Sequence, residues 1–181
     1  NTSANLALQD YFSADAYDTL TLSLATGPSI RLTDRLSLSL PLEYSMQSYT
    51  AQGGWYSQTI GIGPRLQFAA KQNLQLYLDA SLSKKTFEGN STRDLTAWEL
   101  SPSLNYQPNA NGNIAVGLQF GAENAGQAIY SNRVNGGYIG YQHSFKDLGI
   151  KASITASYTD TQFEGIQAAY TVARHDISKR L

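Results

Sequence analysis

The 181 residues include no cysteine. A disulfide framework and a thiolate metal centre are therefore both excluded. Histidine is nearly missing, with two residues, and charged residues make up only 15% of the chain. The 13 basic and 14 acidic side chains leave a formal net charge of −1, which argues against a general nucleic-acid surface. No apolar run approaches the ~18 residues of a transmembrane helix. Apolar residues at helical spacing are absent throughout. Mean hydropathy is −0.32. That value does not exclude a membrane protein, because the lumen face of a transmembrane barrel dilutes the signal of its lipid face. Asn1 is not followed by a basic stretch and an apolar core, so no signal peptide is visible. The expectation is a chain that begins inside a longer precursor or after processing.

What the chain does have is alternation. In Thr19 to Leu32, Leu20, Leu22, Leu24, Pro28, Ile30 and Leu32 fall on one face, and Thr21, Ser23, Ala25, Gly27, Ser29 and Arg31 on the other. After Thr33, Asp34 and Arg35, the pattern repeats to Tyr49, with Leu36, Leu38, Leu40, Leu42, Tyr44 and Met46 opposing Ser37, Ser39, Pro41, Glu43, Ser45 and Gln47. A period of two marks a strand with unlike faces. These runs exceed the ~5–6 residues of an ordinary strand and suit the ~9–11 of a tilted membrane strand.

The same pattern predicts about ten strands in order. They are Leu6 to Phe12, the two above, Thr59 to Ala70, a fifth from Leu74 to Ser83, a sixth from Trp98 to Tyr106, a seventh from Ile114 to Glu123, a Gly-rich eighth ending at Phe145, a ninth from Leu148 to Tyr158, and a tenth carrying Ile166, Ala168, Tyr170 and Val172. Tight turns at 33–35, 71–72, 109–112 and 146–147 alternate with longer loops at 50–57, 84–94 and 124–133. Short turns on one rim and longer loops on the other are the layout of an outer-membrane barrel. The fold expected is all-β, an antiparallel transmembrane β-barrel of about ten visible strands, filling 1–181 as one domain or as part of a larger barrel. A soluble barrel or sandwich would turn the apolar faces inward and carry Lys and Glu outside, whereas here the polar faces are rich in Gly, Ser and Thr.

Two residue sets follow from that fold. Tyr49, Trp55, Trp98 and Tyr158 gather near the long loops, and Phe68, Tyr106 and Phe145 near the short turns, as two interfacial girdles would. Arg31, Glu43, Arg65, Asp79, Glu99, Glu123 and Lys151 lie on the polar faces and are expected to face the lumen, with the basic residues nearer the turns and the glutamates nearer the loops. Such charges either fill the interior as a network or line an axially polarised passage.

The second half carries more specific features. They are Arg93-Asp94, Ser131-Asn132-Arg133, Gly136-Gly137-Tyr138, the run Tyr141-Gln142-His143-Ser144-Phe145, then Tyr158, Phe163-Glu164-Gly165 and Arg174-His175-Asp176. This half resembles the barrel domain of outer-membrane proteins with periplasmic tetratricopeptide repeats, including the surface lipoprotein assembly modifier type. The resemblance implies a barrel in an export system; no such repeat is present in this chain.

The function expected is a channel, or the pore domain of an export system, in a Gram-negative outer membrane. Alternatives are a structural or adhesive barrel with a filled lumen that binds a partner through its long loops, and an outer-membrane hydrolase. The hydrolase would need Ser and His on lipid-facing positions, where Ser is nearly absent, and a metal site would need clustered ligands. Neither catalysis nor any cofactor or metal is expected. The partners expected are outer-membrane lipid and a periplasmic or surface protein; an oligomer is compatible with this reading, nucleic acid is not.

Overall fold

The computed structural model describes residues 2–9, 18–49, 55–166 and 173–180. Thirteen strands follow one another: β1 (Thr2–Gln9), β2 (Thr19–Thr26), β3 (Ser29–Arg31), β4 (Leu36–Ser39), β5 (Leu42–Tyr49), β6 (Trp55–Ile62), β7 (Arg65–Lys71), β8 (Leu74–Phe87), β9 (Leu95–Tyr106), β10 (Gly112–Ala125), β11 (Asn132–Phe145), β12 (Ile150–Phe163) and β13 (His175–Arg180). Among the described residues there is no α-helix, only single 3₁₀ turns. All strands belong to one antiparallel sheet in the order β1-β2-β5-β6-β8-β9-β10-β11-β12-β13. β3, β4 and β7 continue β2, β5 and β6, so the thirteen strands make ten staves. Among the described residues β1 and β13 are not paired with each other, and the sheet is not closed.

The three long runs predicted over 19–32, 36–49 and 59–70 are each broken, because each meets a proline. Pro28 and Pro64 lie in one cross-strand row with Leu40 between them, and Pro41 lies one residue from that row. Leu40 N donates to Pro28 O at 3.0 Å, Gly63 N to Pro41 O at 3.0 Å, and Ala80 N to Pro64 O at 2.9 Å. The return bonds to the carbonyls of Leu40, Gly63 and Ala80 cannot form, since proline has no N–H. One half of the ladder survives at each break, so the sheet is interrupted without being severed.

Elsewhere the strands run longer than predicted. β8 reaches Phe87 and takes in Lys84 and Lys85, β10 reaches Ala125, and β12 reaches Phe163 and takes in Asp160. These ends carry charged and polar side chains, which mask the alternation although the backbone ladder continues. β6 begins at Trp55, and its pairing with β5 shifts register between Gln47 and Ser48. β1 starts earlier than expected, at Thr2, and the predicted Phe12 lies outside the described residues. Ala168, Tyr170 and Val172 also lie outside them; Ile166 is not in a strand, and the last described strand is His175–Arg180.

The register is oblique. Tyr106 at the end of β9 pairs with Ile114, Ile114 with Tyr141, and Tyr141 with Ile154. Ile154 lies four residues inside β12, which starts at Ile150. Four residues correspond to about 14 Å along a strand. Staves ~4.8 Å apart and tilted by ~40° must slip about 12 Å over three strands for their ends to stay level. The slip is that of a tilted barrel wall.

No hydrophobic side chain is buried among the described residues. Leu8, Ile60, Leu118, Ile139 and Ile154 are all more than half exposed. In water such a sheet would forgo its main stabilising term. Its apolar face requires an apolar surround.

Candidate functional site

Backbone pairing places all seven predicted charges on one face. Ser29 opposes Ser39, Ser39 opposes Arg65, Arg65 opposes Asp79, and Asp79 opposes Ser101, a single polar row over five staves. Within it the Ser29 and Ser39 hydroxyls lie 3.0 Å apart, and Arg65 Nε donates to Asp79 Oδ1. Nearer the long loops on the same face, Glu99 lies one row up, opposite Ser81 and Gly121, and Glu43 lies two rows up, opposite Ala25 and Gly61. Glu99 Oε1 accepts from the Ser101 hydroxyl at 2.7 Å.

These residues share one depression, lined by Ser39, Glu43, Gly63, Arg65, Asp79 and Glu99 among others. Three carboxylates against one guanidinium give it a formal excess of two negative charges. It adjoins a second depression through Glu43 and a third through Asp79 and Glu99. Together they form a polar trough from β1 to β12. Glycine keeps it open: a Cβ on Gly63 would stand 3.2 Å from Glu43 Oε1. The remaining three charges stand apart from this centre. Arg31 opposes Ser37 near one turn, Lys151 opposes Ser144 near another, and Glu123 Oε2 accepts from Asn132 Nδ2 at 2.7 Å near the long loops.

The long-loop rim carries an assembly that sequence reasoning missed. The Arg93 guanidinium lies over the rings of Phe87 at 4.5 Å, Tyr56 at 5.5 Å and Tyr130 at 5.5 Å. Tyr56 also packs on Tyr49, with centroids 4.7 Å apart, and edge-on against Phe87 at 5.4 Å. The connections interlock: Gly126 N donates to Asp94 O at 3.1 Å, Gln127 N to Thr92 O at 3.0 Å, and Glu164 N to Ser131 O at 3.0 Å. An arginine in an aromatic-bearing loop was the available signal, but its three rings come from three separate segments.

Of the predicted girdle aromatics, Phe68, Trp98, Tyr106, Phe145 and Tyr158 are exposed on the apolar face. Tyr49 opposes Thr19 and shares the face of Gln47 and Glu43, its ring packed at a tilt of 55° against Tyr56. Trp55 opposes Ser48 beyond the register shift. His143, on the apolar face, has its Nδ1 3.0 Å from Tyr141 Oη and packs edge-on against Phe145 at 4.6 Å. Among the described residues no cluster of three or more His, Asp or Glu could hold a metal ion.

A family model described as "Surface lipoprotein assembly modifier" matches residues 2–181, nearly the whole chain. The chain belongs to the surface lipoprotein assembly modifier family. The family's description ties it to surface lipoproteins, and the all-β antiparallel sheet agrees with the barrel resemblance read from residues 93–176. Nothing among curated proteins matches the chain.

Proposed function

We propose that this chain forms the barrel wall of an outer-membrane protein that assists the assembly of surface lipoproteins, and that its polar trough is the path along which a segment of the lipoprotein crosses. The reading rests chiefly on one observation: the apolar face has no cover within the described residues, while the opposite face holds a continuous trough of small polar residues with an acidic centre. A bilayer supplies the burial that the sheet lacks. Gly, Ser and Thr offer a moving polypeptide weak, interchangeable hydrogen bonds, and Glu43, Asp79 and Glu99 around Arg65 favour neutral or basic segments over acidic ones. Ten staves make a narrow bore, so passage of a chain calls for more strands, from this protein or from a second copy. No catalytic step belongs to this reading.

The interlocked loops favour a second reading, a filled barrel that binds its lipoprotein partner through 88–94 and 126–131 and passes nothing. Surface display separates the two. Charge reversal by Glu43→Lys with Glu99→Lys should cut the amount of lipoprotein reaching the cell surface several-fold if the trough is the path. Unchanged display, with loss only on altering the loops, would replace the first reading by the second.

A further inference from the structure

The apolar face is not uniform. Near the long-loop rim, Trp98 is flanked by two cations. Lys84 sits on β8, one step toward the loops, opposite Thr96. Arg133 sits on β11 in the row Trp98–Ala122–Arg133. Ala122, between the ring and the guanidinium, leaves a groove lined by Trp98, Leu100, Phe120, Arg133 and Asn135. Because the register is oblique, Arg133 stands roughly 6 Å above Trp98 toward the rim, while Phe120 and Leu100 lie below it. The groove is therefore graded, cationic and amide-bearing at the top, aromatic and aliphatic beneath.

We propose that this groove holds one lipid of the outer leaflet whose headgroup carries phosphate. The inference rests on the barrel reading above, which turns this face to the bilayer. The phosphate meets Arg133, with Lys84 on the far side of Trp98, and one acyl chain descends over Phe120 and Leu100. Arg133 is well suited to hold a phosphate. Its side chain is 71% exposed, and its ion pair from Nε to Glu164 at 3.4 Å leaves the two terminal nitrogens to form a fork on phosphate. The other nearby carboxylate, Asp160 opposite Asn135, is occupied by His175 and Gln162. Charge complementarity and the level of the groove favour a phosphorylated lipid headgroup over a protein partner.

The test uses the protein extracted from membranes in mild detergent, stripped of lipid, and titrated while bound lipid is counted by native mass spectrometry. Bisphosphorylated lipid A is the probe; its dephosphorylated form and inorganic phosphate are the comparisons. One molecule of the phosphorylated lipid should bind about tenfold more tightly than the dephosphorylated one, and Lys84→Gln with Arg133→Gln should abolish that preference. Ala122→Leu, which fills the groove without touching charge, should weaken both lipids alike. Equal binding of the two lipids, an unaltered preference in the charge variant, or full competition by millimolar phosphate would each overturn the site. A protein that stays monomeric without detergent would instead overturn the barrel reading, so the two failures are distinct.

Discussion

Trp98 and Tyr158 lie at one level of the sheet, although the register row through Trp98 leads to Gln162. The row runs Trp98–Ala122–Arg133–Gln162, and Tyr158 is four residues from Gln162 toward the turns, the same slip that separates Ile154 from the end of β12. Both rings are 44% exposed on the apolar face. Eight residues below Trp98 on its own strand, Tyr106 marks the other girdle, about 21 Å lower for a tilt of ~40°. That approaches the ~25 Å apolar band of an outer-membrane barrel. Spin labels at positions 98, 158 and 106 should therefore report interfacial depths, and labels at 118 and 139 should be deeper and more accessible to oxygen. Equal aqueous accessibility at all five would contradict a membrane wall.

Arg65 and Asp79 bond across β7 and β8 with side chains 59% and 32% exposed. At that exposure the pair adds at most about 1 kcal/mol to stability. Its larger effect is on the trough. Arg65→Gln raises the local excess from two negative charges to three and should shift a reconstituted passage toward cations; Asp79→Asn should shift it the other way. Reversal potentials across a salt gradient in planar bilayers read the sign directly.

Gly27 packs against the proline level. A Cβ there would overlap the Leu40 carbonyl oxygen and lie 2.8 Å from its carbon, both backbone atoms that a rotamer change cannot move. Gly27→Ala should cost on the order of 2 kcal/mol or more and reduce the yield of heat-modifiable folded protein on unboiled gels.

Gly117 meets a movable neighbour instead. The Tyr138 ring covers it, with Cζ 2.8 Å and Oη 3.0 Å from where a Cβ would stand. Gly117→Ala should destabilise by about 1–2 kcal/mol in the native background and by much less when Tyr138 is also Ala. Additive effects in a urea-unfolding double-mutant cycle would mean the ring does not depend on the glycine.

Arg93 joins loops rather than strands. Replacing it by Gln removes three cation–ring contacts, each worth about 0.5–1 kcal/mol at exposed sites. The expected result is faster hydrogen exchange and protease nicking in 88–94 and 126–131, with strand protection unchanged.

Much of this protein was legible one residue at a time. Which side chains share a face follows from the period of two, a property of the local backbone, and so the leucine face, the polar face with its seven charges, and nine of the ten staves could be read directly from the order of residues, whereas the last described strand, His175–Arg180, was not. The proline breaks were legible in principle too, because the missing N–H is covalent; what could not be read is that Pro28 and Pro64 share one row and Pro41 lies next to it. That alignment, the Arg65–Asp79 bond across 14 residues, the height of Arg133 above Trp98 and the three rings around Arg93 all depend on register. Register is set by pairing between distant segments and by the tilt of the whole wall. Periodicity along one strand carries no information about how far its neighbour has slipped, and only the assembled sheet decides it.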